Sequence, residues 1–202
     1  INKYKIFSNK ARYNKNQEKI STTGNSKAID EENRVIIEAN KFVYNKIDNI
    51  TSAEGDVKIE DEINKYKIFS NKARYNKNQE RISTTGNSKA IDEENRVITA
   101  NKFNYDKKTK IIDAEGGVVM EDIVDNYNVK SDKITYFLDE KKIITVGRTI
   151  AEIDSKYNVE SKDVTFNIEK KELSSKNYSI IKDDNSQIYN LDEFFSVTDK
   201  KI

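Results

Sequence analysis

The chain has 202 residues, 35% apolar and 35% charged, with 36 Lys and Arg set against 35 Asp and Glu. The two signs are interspersed without long blocks, so no strong field would draw nucleic acid or an anionic membrane surface. Cysteine and histidine are both absent, which excludes disulfides, thiolate nucleophiles, histidine bases and the usual zinc sites, and leaves only carboxylates for catalysis.

No apolar run approaches the roughly 18 residues of a membrane-spanning helix, and no signal-peptide pattern opens the chain. The start at Ile1 is read as that of a mature product or an excised domain. The low apolar content predicts a thin core, while Ile, Val, Tyr and Phe recurring at fixed spacing predict an ordered chain.

In chain order, the first feature is a duplication. Residues 1–36 recur at 63–98 with Lys19 replaced by Arg81 as the sole difference. Beyond it the copies diverge: Val35-Ile36-Ile37-Glu38-Ala39 becomes Val97-Ile98-Thr99-Ala100, one residue shorter. A one-residue change flips the facing of every later side chain unless a bulge absorbs it, so a β-bulge is expected near Ile37 or Glu38.

A longer period runs through the whole chain. An aromatic residue stands at Tyr13, Tyr44, Tyr75, Tyr105, Tyr136 and Phe166, in steps of 31, 31, 30, 31 and 30 residues, and glycine follows eleven positions after each of the first five, at Gly24, Gly55, Gly86, Gly116 and Gly147. A period of this size marks stacked repeats, whose units bury their apolar faces against their neighbours. About six and a half repeats fit, the last a partial one at Leu191-Asp192-Glu193-Phe194-Phe195. With no linker or composition shift, residues 1–202 read as a single continuous domain.

Inside a unit the period is two. Ile112, Ala114, Gly116, Val118 and Met120 fall on one side and Asp113, Glu115 and Glu121 on the other, with Val119 the one outward apolar residue; this is a half-buried strand. Phe103 and Tyr105 share a face, whereas Val129-Lys130-Ser131 is displaced by one residue, which implies a kink. Polar clusters such as Asn14-Lys15-Asn16-Gln17, Asp30-Glu31-Glu32-Asn33 and Asp106-Lys107-Lys108 separate the strands. A helix fits less well, because the β-branched residues cluster and no 3.6-residue stripe survives. In a lipid-exposed barrel the charges of Glu54, Asp56, Lys58 and Glu60 would face hydrocarbon.

Ala100-Asn101-Lys102-Phe103-Asn104-Tyr105 followed by Ala114-Glu115-Gly116-Gly117-Val118, and Ala39-Asn40-Lys41-Phe42-Val43-Tyr44 followed by Ala53-Glu54-Gly55-Asp56-Val57, resemble the OstA-like lipopolysaccharide-transport family of LptA, LptC and the amino-terminal domain of LptD. The resemblance covers roughly Tyr4 to Val197. Where that family usually carries Asp, this chain has Asn9, Asn40, Asn71 and Asn101, and Asp132 alone matches; Asn177 replaces the last glycine.

The resemblance implies an all-β fold: a twisted, partly open β-jellyroll of two stacked antiparallel sheets, working in the periplasm at the outer membrane of a Gram-negative bacterium. It implies lipopolysaccharide acyl chains held between the sheets, lined by Phe42, Ala53, Val57, Ile59 and Phe103 in the first half and Ile112, Ala114, Val118, Met120 and Ile134 in the second. Small residues such as Ala53, Gly55, Ala114 and Gly116 would leave room there; simple packing on the opposite sheet is the alternative. No catalytic residue, metal or cofactor is implied. Expected partners are other OstA-like domains, joined head to tail through the edge near Tyr4–Tyr13 or the edge near Leu191–Val197. An LptA-like bridge and an LptD-like domain followed by an outer-membrane barrel both remain open.

Two other classes compete. A structural or adhesive β-solenoid would use the repeats only for length and rigidity. A carbohydrate-active enzyme would need paired carboxylates, but Glu31-Glu32 and Glu60-Asp61-Glu62 read as solvated turn charges.

Overall fold

The computed structural model describes residues 4–124 and 126–195, so Ser196 and Val197, the end of the expected closing edge, lie outside the described residues. Nineteen strands and no helix are found among the described residues, and the strand pairs are antiparallel. The chain divides into two units, residues 1–94 with 101–109, and 95–100 with 110–202.

The first unit is built from β1 (Tyr4–Phe7), β2 (Lys10–Asn14), β3 (Lys19–Thr23), β4 (Ser26–Asp30), β5 (Val35–Ala39), β6 (Lys41–Asn45), β7 (Ile50–Asp61), β8 (Tyr66–Asn76), β9 (Arg81–Ile91) and the second half of β10 (Val97–Asp106). Its ladders split into two arms. Arm one runs β1, β4, β5, then the 57–61 half of β7 and the 66–70 half of β8. Arm two runs β2, β3, β6, then the 50–54 half of β7 and the 72–76 half of β8. The long strands pass from one arm to the other through a break in register, between Glu54 and Val57 in β7 and between Phe69 and Lys72 in β8.

The second unit repeats this plan with β11 (Ile111–Asp122), β12 (Tyr127–Phe137), β13 (Lys142–Ile153), β14 (Tyr157–Lys162), β15 (Thr165–Asn167), β16 (Glu172–Ser175), β17 (Ser179–Lys182), β18 (Ile188–Leu191) and β19 (Phe194–Phe195). Arm one ends on β14, β17 and β18, and arm two on β15, β16 and β19. The breaks fall between Glu115 and Val118 and between Ser131 and Lys133. Where Asn177 replaces glycine the strand separates into β16 and β17, and Asn177 instead donates its amide to the Lys162 carbonyl at 3.2 Å.

The facing of the strands follows the period-two reading. Along β11, Ile112, Ala114, Val118 and Met120 are buried while Glu121 is exposed and Asp113, Glu115 and Val119 are half-buried; Gly116, expected on the inward side, is exposed because it lies at the bend. In β12 the buried set moves from Val129 and Ser131 to Ile134 and Tyr136, the kink read from the one-residue displacement. The reason is a bulge: Gly116 and Gly117 together face the single Asp132, so β11 keeps its parity and β12 changes it.

The bend itself is a glycine against an amide or acid. Gly55 has φ +80°, and a Cβ placed on it would lie 2.8 Å from Asn40 Nδ2; at Gly147, φ +87°, it would lie 2.6 Å from Asp132 Oδ2. Asn9, Asn40 and Asn71, which depart from the family pattern, therefore occupy the same place as Asp132. Backbone bonds run across this line, Gly24 N to Asn40 O at 2.7 Å and Asn40 N to Gly55 O at 2.9 Å.

The duplicated segments fold into corresponding strands, β1–β4 and β8–β9, but they part company at their ends. The expected bulge at Ile37 or Glu38 is absent: β5 pairs regularly with β4 and β7 through both residues. The missing residue is absorbed earlier, in the turn. Arg34 closes a turn with φ +51°, whereas in the second copy Asn95 takes φ +62°. Identical residues then face opposite ways: Arg34 is exposed and Val35 buried, while Arg96 is buried and Val97 half-buried. A turn accommodates a length change without breaking ladder bonds, which a bulge inside β5 would not.

Candidate functional site

The two arms of each unit present their apolar faces to each other. In the first unit Phe42 and Ala53 on arm two and Val57 and Ile59 on arm one are all 5% exposed or less, as is Phe103 of β10. In the second, Ile112, Ala114 and Ile134 on arm two and Val118 and Met120 on arm one are at most 1% exposed. All ten residues expected to line a groove thus lie on inward faces, five in each unit. Neighbouring strands continue these surfaces: Phe42 pairs with Ala53 and Ala53 with Ala73, Ile59 with Ile68, and Met120 with Val129.

Toward the bends the inward faces become small and hydroxylic, with Thr22, Ser70, Thr84 and Ser88 buried in the first unit and Ser131, Thr145 and Thr149 in the second. They satisfy one another or the backbone, as in Thr22 Oγ1 to the Phe42 carbonyl at 3.3 Å and Thr84 with Ser88 at 2.8 Å. A cavity of about 620 Å³ is bounded by residues 21–23, 41–43, 52–54, 72–74 and 83–85, and takes in Phe42 and Ala53.

At the free ends of the first unit's arms the structure places polar clasps that sequence reasoning does not find. Asp30, fully buried at the tip of arm one, accepts from the Tyr75 hydroxyl at 2.9 Å and from Asn33 Nδ2 at 2.9 Å, and pairs with Lys77 at 3.2 Å. One repeat further, Asp61 accepts from the Tyr105 hydroxyl at 3.2 Å and from Asn64 Nδ2 at 2.8 Å, and pairs with Lys107 at 3.2 Å. Asp61 reads in sequence as a solvated turn charge; it is a buried one, because Lys107, from the turn after Tyr105, reaches back over it. Glu31 and Glu32, by contrast, stay exposed in their turn. The sequence signal is the Tyr-x-Lys at Tyr75 and Lys77 and again at Tyr105 and Lys107, with an aspartate 45 residues before the first tyrosine and 44 before the second.

The clasps set the local electrostatics. Burial pushes the Asp30 carboxyl up, but the bonds from Asn33, Tyr75 and Lys77 more than offset it and hold the group below the usual carboxylate range. Burial and the adjacent carboxylates raise the Tyr75 and Tyr105 hydroxyls well above an ordinary phenol. Aromatic contacts join the arms as well: Tyr4 stacks on Tyr44 with centroids 4.6 Å apart, Tyr66 lies 5.6 Å from Tyr105, and in the second unit Tyr127 meets Phe166 edge-on at 5.0 Å. In that unit Arg96 lies over the Tyr136 ring at 5.8 Å.

The outward faces carry charge pairs, including Glu54 between Lys41 at 3.0 Å and Lys72 at 3.1 Å, and Glu115 with Lys133 at 3.0 Å. No group of three or more acidic side chains that could hold a metal ion occurs among the described residues.

Two arms of antiparallel strands, bent over a glycine line and facing each other across an apolar interior, define an LptA-like β-jellyroll. Among solved structures the chain is similar to LptH of Pseudomonas aeruginosa, described as the LptA-homologous periplasmic component of the conserved lipopolysaccharide transport device, with TM-score 0.54 and 15% identity over 58% of this chain and 93% of that one. No protein-family model and no curated protein sequence matches the chain.

Proposed function

We propose that this chain carries lipopolysaccharide across the periplasm toward the outer membrane, holding its acyl chains between the two arms. The observation that carries this reading is the inward apolar face of each arm, formed by Phe42, Ala53 and Ala73 against Val57, Ile59 and Ile68 in the first unit and by Ile112, Ala114 and Ile134 against Val118, Met120 and Val129 in the second, in a fold shared with a lipopolysaccharide-transport component. Acyl chains match such a surface by non-directional burial, at roughly 25 cal/mol per Å² of apolar area removed from water. Phe42, Ala53, Val57, Ile59 and Phe103, and Ile112, Ala114, Val118, Met120 and Ile134, are the proposed lining. Entry of an acyl chain requires the arms to part, and in the first unit the Asp30 and Asp61 clasps must open together with the Tyr4–Tyr44 and Tyr66–Tyr105 contacts. No catalytic step and no cofactor enters this reading.

The partners follow from the same architecture: other jellyroll domains, added through the edge strands. An LptA-like bridge and the amino-terminal domain of an LptD-like translocon both satisfy it, and a barrel-forming sequence after Ile202 would select the second. Photocrosslinking groups placed at Phe103, Ala114, Val118 and Met120 are expected to capture lipopolysaccharide, and groups at Asp113, Glu115 and Glu121 to miss it. Capture without regard to face would remove the groove reading and leave the repeats as a structural β-array.

A further inference from the structure

The duplication makes one part of the molecule an internal control for another. Residues 4–14 and 66–76 have the same sequence, yet Tyr13 is 49% exposed and Tyr75 1%. All five residues of β2 are exposed, Ala11 included, whereas Ala73 is 7% exposed. The difference is β7. It ladders onto β8 with Ile50 opposite Asn76, Ala53 opposite Ala73, Val57 opposite Ser70, Ile59 opposite Ile68 and Asp61 opposite Tyr66. β1 and β2 have their ladders with β4 and β3, and no further strand pairs with them among the described residues.

A second correspondence lies behind this edge. In the interior joint, Tyr105 and Lys107 hold the last acid of β7, Asp61. Aligned on the Ala-Asn-Lys-Phe-x-Tyr segment, the same places behind β1 and β2 are taken by Tyr44 and Lys46. The backbones agree, since Lys107 N bonds to Glu80 O at 3.0 Å and Lys46 N to Glu18 O at 2.9 Å. Lys46 Nζ meanwhile pairs with the exposed Glu18 at 2.7 Å, and the Tyr44 hydroxyl donates to Asn49 at 2.9 Å.

We infer that the outer edge of β1 and β2 is a binding site for one kind of strand, that of β7, which brings its terminal aspartate to Tyr44 and Lys46. The partner is a jellyroll domain that presents an antiparallel strand patterned as Ile-Thr-Ser-Ala-Glu-Gly-Asp-Val-Lys-Ile-Glu-Asp. Its small and β-branched residues face inward, glycine falls at the bend, and the first acid lies opposite Lys10 as Glu54 lies opposite Lys72. The closing strands Ile188–Leu191 and Phe194–Phe195 put Asp192-Glu193 at the bend and carry no glycine there, so a second copy offering that edge is a poorer match. This deepens the edge-strand part of the proposed function by naming the partner strand and its register. Lipopolysaccharide plays no part in the test, so failure here leaves the groove reading standing.

The test is a free peptide of residues 50–62 added to the full chain, with amide exchange followed at residues 4–14. The peptide is expected to slow exchange there by about tenfold or more, while a peptide carrying Ala53→Glu and Ile59→Glu, which turns two charges inward, leaves it unchanged. Equal protection by both peptides would reveal an unselective edge and overturn the inference. Where neither protects, the same thirteen residues are joined ahead of Ile1, which raises their effective concentration to about millimolar. Protection of 4–14 to the level of 66–76 in that fused chain supports the inference, and unchanged exchange overturns it.

Discussion

The Tyr75 hydroxyl donates to Asp30 at 2.9 Å, joining residues 45 apart in sequence and on opposite arms of the first unit. It is one of three side-chain contacts that keep the Asp30 carboxyl ionised while buried.

Tyr75→Phe is expected to cost about 1.5–3 kcal/mol at neutral pH, the usual effect of removing one bond to a charged group. The folded-state pKa of Asp30 lies below its unfolded value, so this stabilisation is present above the ordinary carboxylate pKa and is lost as pH falls below about 4. Urea unfolding of both proteins at pH 7 and pH 3 should show the gap shrinking at the lower pH. A gap that stays constant would mean the hydroxyl is not serving the carboxylate.

Lys107 is 3% exposed at its side chain and Asp61 1%. Lys107→Met leaves that carboxylate buried with Tyr105, Asn64 and the Ile63 amide but no opposite charge at the place of Lys107, and a loss of about 3–5 kcal/mol is expected. Lys72→Met removes an exposed partner of Glu54 and should change stability by no more than about 1 kcal/mol. Thermal unfolding of the two variants side by side measures the contrast.

Gly55→Ala meets both a left-handed backbone and the Asn40 side chain, and is expected to cost about 2–3 kcal/mol. Gly117 has φ +63° but nothing within 4 Å of where an alanine methyl would stand, so Gly117→Ala should carry only the left-handed penalty, about 1–2 kcal/mol. Chemical denaturation of each variant checks the order, and Gly117→Ala proving the worse would contradict the role given to Asn40.

Val118 is 1% exposed between the arms. Val118→Asp puts an unpartnered carboxylate there and should destabilise by about 3–5 kcal/mol, or fold only once protonated. Glu115→Lys on the outward face loses one exposed pair with Lys133 and is expected to stay within about 1 kcal/mol. Equal tolerance of both would mean that the facing of β11 is wrong.

The sequence by itself determined the repeat, the strand class and the inward face of almost every strand, because those depend on the period of apolar residues and on glycine at a regular bend. Ile112, Ala114, Val118 and Met120 are buried where alternation puts them, and the displacement at Val129 signals the parity change at Asp132. What only the tertiary structure decided is where a length change is absorbed and which charges are buried. Asn-Arg-Val-Ile reads the same at 33–36 and 95–98, yet Arg34 faces water and Arg96 is buried, because the register of the following strand is held by its ladder and the turn is left to adjust. Asp61 sits between two acidic neighbours and looks solvated, but Tyr105 and Lys107 come from 44 and 46 residues away to close over it. Such a partner is set by how the arms meet, and local composition carries no trace of that distance.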